Sequence, residues 1–144
     1  MPTLRDCSAD PPATFVHIDV VVAPRDLIER TREFALAALR FIRKLPDTPE
    51  AKEAGGQLRR SANGLRYNYR ASKKGRSRAE FTAKLGTACE EADECVDWLE
   101  YRRDASIADD AALLQEADEL ARVMAAAVKT ARANNAQIRR PPDD

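Results

Sequence analysis

The sequence predicts an all-α protein that folds as an antiparallel up-down-up-down four-helix bundle. Three observations lead to this prediction. The 144 residues are rich in Ala, Leu, Glu and Arg and contain only 5 Gly, a composition that favours helix over strand. Apolar and small residues recur at spacings of three and four in four segments, which is the period of a buried helical stripe. Short breaks join these segments, so consecutive helices should run in opposite directions.

The first two helices are expected over residues 24–45 and 49–73. Thr48 and Pro49 suit the N-cap and the first position of the second helix. Polar residues occupy part of the buried stripe of helix two, and we interpret Asn68 as a core residue that fixes helix register rather than as a ligand. The stripes are Leu27, Thr31, Phe34, Ala38, Phe41 and Leu45 in helix one, and Ala51, Ala54, Leu58, Ser61, Leu65, Asn68 and Ser72 in helix two.

The third and fourth helices are expected over residues 78–104 and 107–134. Ser77-Arg78-Ala79-Glu80 is a capping box that begins helix three, and Ser106 is the predicted cap of helix four. Trp98 should anchor the core or a subunit contact from beside the stripe of helix three. The stripes are Phe81, Leu85, Ala88, Ala92, Cys95 and Leu99 in helix three, and Leu114, Ala117, Ala121, Met124, Val128 and Ala131 in helix four.

The bundle is expected to span residues 24–135, with the two chain ends outside it. Residues 1–23 are expected to form a flexible arm, and residues 136–144, which contain Pro141-Pro142, a disordered tail. No apolar run approaches the roughly 20 residues that span a bilayer, and the first residues are too polar for a signal peptide. We therefore expect a soluble, cytoplasmic protein without a membrane partner.

The sequence contains no motif of an enzyme active site. His17 is the only histidine, so the carboxylates Glu90, Glu91 and Glu94 lack the histidines that a carboxylate di-metal bundle uses. The cysteines fit no zinc-ligand spacing and are expected to be free thiols. No phosphate-binding glycine loop and no nucleophile with an evident base are present. We therefore expect no catalysis, no metal and no other cofactor.

The net charge is zero, but the charges are segregated along the chain. Between residues 90 and 119 there are twelve acids and two basic residues, whereas residues 59–78 hold eight basic residues and no acid. We call residues 59–78 the basic segment. Its basic residues are Arg59, Arg60, Arg66, Arg70, Lys73, Lys74, Arg76 and Arg78.

Two interpretations of the basic segment are open. In the first, its basic side chains contact nucleic-acid phosphates and Tyr67 or Tyr69 stacks on an unpaired base. One of Arg59 and Arg60 is then expected to turn inward. In the second, helix two pairs with acidic helix three, within the bundle or across a subunit interface, in a structural or protein-interaction module. The neutral net charge and a pI near 6.6 favour this second interpretation. The acids would be Glu90, Glu91, Glu94 and Asp97.

Several segments, taken in order, resemble one family of bacterial proteins. They are Gln57-Leu58-Arg59-Arg60-Ser61-Ala62, Asn68-Tyr69-Arg70-Ala71, Ser77-Arg78-Ala79-Glu80-Phe81-Thr82-Ala83-Lys84-Leu85, Glu90-Glu91-Ala92-Asp93-Glu94 and Trp98-Leu99. The chain resembles the four-helix bundle proteins encoded in intervening sequences of bacterial large-subunit ribosomal RNA genes. The accessory variability proteins of diversity-generating retroelements look like a sister group. The resemblance runs from about Asp26 to Ala127.

The resemblance implies a non-enzymatic homopentamer whose basic surface binds RNA or DNA, with a protein such as a reverse transcriptase as the alternative partner. The chain departs from the family pattern at Arg66 and Tyr67, where small residues are usual, and at Ala71, where Glu is usual. These departures make the surface more basic and more aromatic, and they remove any contact that the Glu made. The expected nucleic-acid contacts are Arg59, Arg60, Arg66, Tyr67, Arg70, Lys73, Lys74, Arg76 and Arg78. The expected core residues of this region are Asn68, Phe81, Leu85 and Trp98.

Overall fold

The computed structural model describes residues 24–140, which form four helices joined by short turns and contain no strand. None of the described helices is both long and apolar enough to cross a membrane. The expected arm over residues 1–23, with His17, and residues 141–144 of the expected tail lie outside the described range. The four helices are α1 (Pro24–Arg43), α2 (Pro49–Ser72), α3 (Arg78–Asp104) and α4 (Ala111–Ile138).

Hydroxyl side chains cap the starts of α2 and α3, as the sequence indicates. Thr48 Oγ1 accepts a hydrogen bond from the Ala51 N–H at 3.2 Å. Ser77 Oγ accepts one from the Glu80 N–H at 3.1 Å, and the Glu80 carboxylate accepts one from the Arg76 N–H at 3.0 Å. The two hydroxyl bonds satisfy N–H groups of the first turn that have no partner within the helix, and so help to fix where each helix begins. The Glu80 bond reaches the N–H of Arg76, one residue before the N-cap N–H to which a capping box directs it.

Ser106 ends α3 instead of beginning α4. It has a φ of 56°, in the left-handed region, and follows the C-cap residue Ala105. The Ser106 N–H donates to the Arg103 carbonyl at 3.0 Å, and the Ile107 N–H donates to the Arg102 carbonyl at 2.9 Å. This pair of hydrogen bonds is a Schellman motif, which terminates a helix by satisfying its last carbonyl groups.

As a consequence, α4 begins at Ala111 and not at the predicted residue 107. Asp110 is its N-cap, and the Asp110 Oδ1 atom accepts a hydrogen bond from the Leu113 N–H at 3.0 Å. Leu113 is therefore the first buried leucine of α4, whereas Leu114, which we placed on the stripe, is only half-buried. The prediction was wrong because a serine engaged in ending one helix cannot also begin the next.

The other helix ends differ less from the predictions. α1 ends at Arg43, two residues early, because Pro46 disfavours helical backbone at Leu45, whose N–H donates to the Ile42 carbonyl in a tighter turn. α2 ends one residue early, which is within the variation of helix assignment. α4 reaches Ile138, so the first three residues of the expected disordered tail are helical. They are helix-compatible residues, and proline occurs only from position 141.

Buried stripes of all four helices meet in one core rich in alanine and leucine. Small residues allow close approach of the helices: a Cβ atom added at Gly55 would lie 3.1 Å from Leu45 Cδ1. α2 and α3 share the largest helix–helix interface, and α1 and α4 share the smallest. The largest fully buried apolar and aromatic side chains are Tyr69, Phe34, Leu58, Leu65, Leu85, Leu120 and Met124.

Polar contacts fix which parts of neighbouring helices lie together. Arg102 Nη2 donates to the Ala54 carbonyl at 2.7 Å, which joins the end of α3 to the first part of α2. Asn135 Nδ2 donates to Thr82 Oγ1 at 3.0 Å, which joins the end of α4 to the start of α3. Arg30 links α1 to two glutamates of α4. Each of these interhelical hydrogen bonds can form in only one register of the two helices that it joins.

Candidate nucleic-acid interface

The basic segment covers the second half of α2, the turn after it and the first residue of α3. Arg59 and Arg60 are both exposed, so the expectation that one of them turns inward was wrong. Successive helical residues lie about 100° apart, and Leu58 and Ala62 supply the core contacts on either side of this pair. All nine expected contacts are exposed: Arg59, Arg60, Arg66, Tyr67, Arg70, Lys73, Lys74, Arg76 and Arg78.

The basic side chains of α2 lie on two sides of the helix. Arg59 and Arg66 are seven residues apart and therefore within about 20° of each other, on the side next to α1. Arg60 and Tyr67 have the same spacing and lie about 100° away, toward the α3 side. The Arg66 Nε atom donates to Asn63 Oδ1 at 2.9 Å, which orients its guanidinium. The sequence suggested one surface, and the helix divides it into two adjoining stripes.

The turn between α2 and α3 holds basic residues in a compact geometry that depends on Gly75. A Cβ atom added there would lie 3.1 Å from the Phe81 backbone nitrogen and 3.2 Å from the Ser72 carbonyl oxygen. Cations here also face the C-terminal end of α2, where the helix dipole is negative. Lys74 and Arg76 lie in this turn and are exposed. The turn therefore presents two exposed cations, and a phosphate contact here would depend on their side chains, since the helix end itself favours positive charge.

Lys73 differs from the other basic residues because it packs on the protein. Its Nζ atom lies 5.1 Å from the ring centroid of Tyr69 and 5.3 Å from that of Phe81, within the range of cation–π contacts. Partial burial lowers the pKa of the Lys73 ammonium. It also serves as the C-cap residue of α2. Lys73 thus has a structural role that the sequence did not indicate.

Only one of the two tyrosines of the basic segment can stack on a nucleobase. Tyr67 is 63% exposed, whereas Tyr69 is 2% exposed, and burial raises the pKa of its hydroxyl group. The expectation that either ring could stack was therefore wrong for Tyr69. We predicted that the buried stripe of helix two passes through Asn68, one residue early, whereas the core position is occupied by the ring of Tyr69.

The acids of α3 do not neutralise the basic segment within the part of the chain that the structure describes. Glu90, Glu94 and Asp97 are exposed, and none forms an ion pair with a described basic residue. Glu94 instead accepts a hydrogen bond from the buried Ser61 hydroxyl at 2.9 Å. Ion pairing between α2 and α3 within one chain, which is one form of our second interpretation, is therefore not observed among residues 24–140, although the two helices pack together.

Glu91 is held at the contact between α2 and α3. Its carboxylate carbon would lie 2.6 Å from a Cβ atom at Gly64, so the glycine leaves the space that the carboxylate occupies. Burial first, and then the charges of Glu94 and Glu90, raise the pKa of the Glu91 carboxyl group. The acidic face of α3 thus places one partly buried carboxylate against the helix that carries the basic segment.

The four expected core residues occupy different environments. Leu85 is 1% exposed, while Phe81 and Trp98 are half-buried against the core. The Trp98 ring meets the exposed Tyr101 ring edge to face, with centroids 5.7 Å apart. Asn68 is also half-buried, and its amide donates at 2.8 Å to the Gly64 carbonyl of its own helix. Asn68 therefore makes no interhelical hydrogen bond with a described residue, and Ser61 provides that link instead.

Arg102 and Arg30 were not singled out from the sequence. Arg102 is fully buried, and Arg30 forms a two-pronged ion pair with Glu116 and a further contact with Glu119. The stripe of α3 continues from Leu99 by three residues to Arg102, so its spacing could have identified the first. No signal in the sequence marks Arg30, because its partners lie far along the chain.

The described residues hold neither a disulfide nor a cluster suited to a metal ion. Cys89 and Cys95 are free thiols, and burial raises the pKa of both. No group of three His, Cys, Asp or Glu side chains between residues 24 and 140 could hold a metal ion. A phosphate ligand would therefore depend on the basic side chains and on backbone N–H groups.

Comparisons with known proteins agree with the fold and identify the family. No curated protein matches the chain significantly. A crystal structure of a protein of unknown function from the S23 ribosomal protein family of Bacteroides thetaiotaomicron is similar in fold, with a TM-score of 0.67 and 22% sequence identity. The match covers 74% of this chain and 97% of that chain. The family model of the 23S rRNA-intervening sequence protein matches residues 25–126. The chain therefore belongs to the 23S rRNA-intervening sequence protein family.

Proposed function

We propose that this chain is a non-enzymatic accessory protein that binds RNA or DNA through the basic segment. One observation carries the proposal: eight exposed basic side chains are clustered on α2, the following turn and the first residue of α3, without a carboxylate partner among the described residues. Cations left unpaired by the protein are available to replace the counterions of a phosphate backbone. Tyr67, at 63% exposure, adds a ring on which an unpaired base can stack.

The proposal is compatible with a net charge of zero because attraction to nucleic acid depends on local charge. The screening length at physiological salt is about 8 Å, so acids farther away than this contribute little to the field at the basic segment. The acids that reduce this field most are Glu91 and Glu94, which contact α2. Sequence-specific recognition is not implied, since the surface offers charges and one aromatic ring. Binding should be tolerant of sequence and should weaken steeply with salt.

The arrangement that best supports this surface is an up-down-up-down antiparallel bundle that assembles as a homopentamer in the cytoplasm. The hydrogen bonds Arg102–Ala54 and Asn135–Thr82 support alternating helix directions, since each joins the end of one helix to the beginning of its neighbour. The pentamer rests on the family resemblance. A closed ring would repeat the basic segment around an axis and strengthen weak phosphate contacts by avidity.

Fluorescence anisotropy with a labelled structured RNA and a labelled DNA duplex, titrated at several salt concentrations, tests the proposal. The charge-removal variant Arg70→Ala with Lys74→Ala should bind more weakly, and its plot of log affinity against log salt should be shallower by about two units. The matched control is Lys129→Ala with Arg132→Ala, which removes the same two charge types from exposed positions of α4.

The control variant should bind like the unaltered protein, and both variants should keep its circular dichroism spectrum. Absence of binding to either nucleic acid at low salt would rule out the proposal. Equal losses in the two double variants would also contradict it, because the effect would then come from net charge and not from the basic segment. Sedimentation velocity tests the assembly separately, and a monomeric mass at micromolar concentration would contradict the pentamer.

A structural or protein-interaction module is the second candidate function. It is favoured by the exposed acids Glu90, Glu94 and Asp97 of α3, which have no basic partner among the described residues and are complementary in charge to α2. In that case the basic segment of one copy would contact α3 of another. Sedimentation velocity at the same salt concentrations discriminates between the functions, because the mass of the assembly, and not the affinity for RNA, would then fall as salt rises.

A further inference from the structure

A cleft on the outer side of α1 and α2 combines an apolar floor with a basic rim. The floor is formed by residues of α1, and Leu36 is 36% exposed, which makes it one of the few large apolar side chains open to solvent in the described chain. Arg32 of α1 and Arg59 and Arg66 of α2 form the rim. The floor residues are Ala35, Leu36 and Leu39.

The charge on the rim has no counterpart within the described chain. None of its three arginines forms an ion pair with a described acid, and no acid lines the cleft. Two other clefts differ in this respect. One, at the end of α1, is lined by both Lys44 and Asp109, and the other, between α3 and α4, is lined by both Arg103 and Asp118. The cleft of α1 and α2 is therefore set apart by its uncompensated positive charge.

The dimensions of the cleft correspond to two turns of a helix. Arg59 and Arg66 are seven residues apart, about 10 Å along α2. Gly55 lies against Ile42 and Leu45, so Arg66, three turns further along α2, is level with Arg32. One end of the cleft is thus flanked by two arginines, the other end by Arg59, and leucines lie between them.

We propose that this cleft binds an acidic amphipathic helix of a partner protein. Apolar side chains of the partner would cover Leu36 and Leu39, and carboxylates seven residues apart would reach Arg32 with Arg66 at one end and Arg59 at the other. An apolar centre surrounded by charges that match those of the partner is the arrangement by which helices are recognised in grooves. This site is additional to the proposed nucleic-acid surface, with which it shares only Arg59 and Arg66.

The composition of the cleft favours a helix over a nucleic acid at this position. Its lining contains no aromatic ring on which a base could stack. Tyr67, the exposed ring of the basic segment, lies on the other side of α2. Leucine and alanine side chains gain from contact with aliphatic groups, which a phosphate backbone does not supply. Only an amphipathic, acidic ligand can therefore pack on the apolar floor and also pair with the basic rim.

Fluorescence polarisation with two synthetic helical peptides tests the proposal. The first peptide carries leucines on one face, flanked by glutamates seven residues apart, and the second has lysine at every glutamate position. The full-length protein should bind the acidic peptide at least about tenfold more tightly than the basic one. Arg32→Glu and Leu36→Ser should each weaken binding of the acidic peptide by about tenfold, whereas Lys129→Glu, an exposed charge change on α4, should leave it within about twofold.

Three results would overturn the proposal. The first is equal affinity for the two peptides, and the second is unchanged affinity in a folded Leu36→Ser variant. The third is a fall in the mass of the protein on Leu36→Ser, since a second copy of the chain would then occupy the cleft. RNA binding separates this site from the proposed function: Leu36→Ser should leave RNA affinity unchanged, so either idea can fail without the other.

Discussion

The guanidinium group of Arg102 is enclosed between α2 and α3 and donates a hydrogen bond to the Ala54 carbonyl at 2.7 Å. Its Nε and Nη1 atoms have no partner among the described residues, and the Phe41 ring lies over the group at 5.2 Å. Burial lowers the pKa of Arg102 to about 10, so the group is still charged at neutral pH. A cation buried without a carboxylate is a cost that the rest of the core must offset.

Replacing this charge with an apolar side chain of similar length should stabilise the fold. Arg102→Met keeps most of the buried methylene packing and removes the unpaired donors, and we expect the free energy of unfolding to rise by about 1–3 kcal/mol. Urea denaturation measures it. Arg103→Met, at an exposed position on the same turn, serves as the control and should change stability little. A loss of stability in Arg102→Met would show that the guanidinium is satisfied by groups outside the described chain.

Arg102 also shows how far the sequence predicts this fold. The spacing of apolar residues identified the four helices, because burial of one face is what makes an isolated helix stable. The same spacing continues through Leu99 to position 102, but the predicted stripe ended at Leu99 and did not include the arginine. The prediction that Ser106 begins α4 was wrong for a related reason, since the first and last residues of helices favour overlapping residue types. Which of the two a serine forms is decided by the backbone of the preceding helix.

The candidate site was predictable in composition and less so in geometry. Exposure of the basic residues follows from their charge, yet the division between the Arg59 side and the Arg60 side depends on which residues of α2 face the core. Because the buried stripe of α2 was placed at Asn68 and not at Tyr69, the buried Tyr69 ring was predicted to be available for stacking on a base. The cleft beside Leu36 had no signal in the sequence, because it arises from the packing of two helices.

Arg30 should contribute strongly to the attachment of α1 to α4, the smallest helix–helix interface. Its Nε and Nη2 atoms donate to both oxygens of Glu116 at 2.6 and 2.8 Å, and Nη2 also donates to Glu119 at 2.9 Å. Arg30→Met should lower the free energy of unfolding by about 1–3 kcal/mol, since it leaves two partly buried carboxylates without a partner. Arg30→Lys should recover only part of the loss, because lysine cannot form the two-pronged contact. Full recovery in urea denaturation would contradict this account.

Two adjacent glycines of α2 offer a matched test of packing. A Cβ atom at Gly56 would meet nothing within 4 Å, so Gly56→Ala should raise the free energy of unfolding by about 0.5–1 kcal/mol through helix propensity alone. At Gly55 the added atom would lie 3.1 Å from Leu45 and 3.2 Å from Ile42, and this crowding should cancel the gain. Thermal denaturation of both variants measures the difference. A larger gain at Gly55 than at Gly56 would contradict the packing described.

Lys73 and Lys74 should separate stability from nucleic-acid binding. Lys73 packs on the Tyr69 and Phe81 rings, so Lys73→Ala should lower the free energy of unfolding by about 0.5–1 kcal/mol. Lys74 is exposed, and Lys74→Ala should leave stability unchanged while it weakens RNA binding. Thermal denaturation and RNA anisotropy on the two variants provide the comparison. If both lysines affect stability equally, the cation–π contacts of Lys73 contribute nothing measurable.

Glu91 should make stability depend on pH in a direction opposite to that of a salt-bridged carboxylate. Burial and the neighbouring Glu94 and Glu90 raise its folded-state pKa above the ordinary value of 4.5. As the pH falls, the folded chain takes up this proton before the unfolded chain does, so protonation of Glu91 favours folding between the folded pKa and 4.5.

Glu91→Gln removes the charge permanently and should raise Tm at pH 7.5 by about 1–3 °C. At pH 4.5, where the wild-type carboxyl group is protonated to a greater extent in the folded chain than in the unfolded one, the two proteins should differ less. The exposed Asp97→Asn variant is the control for the loss of one negative charge from α3. A Tm difference between Glu91→Gln and wild type that is the same at both pH values would mean that the Glu91 carboxylate is as well solvated in the folded chain as in the unfolded one.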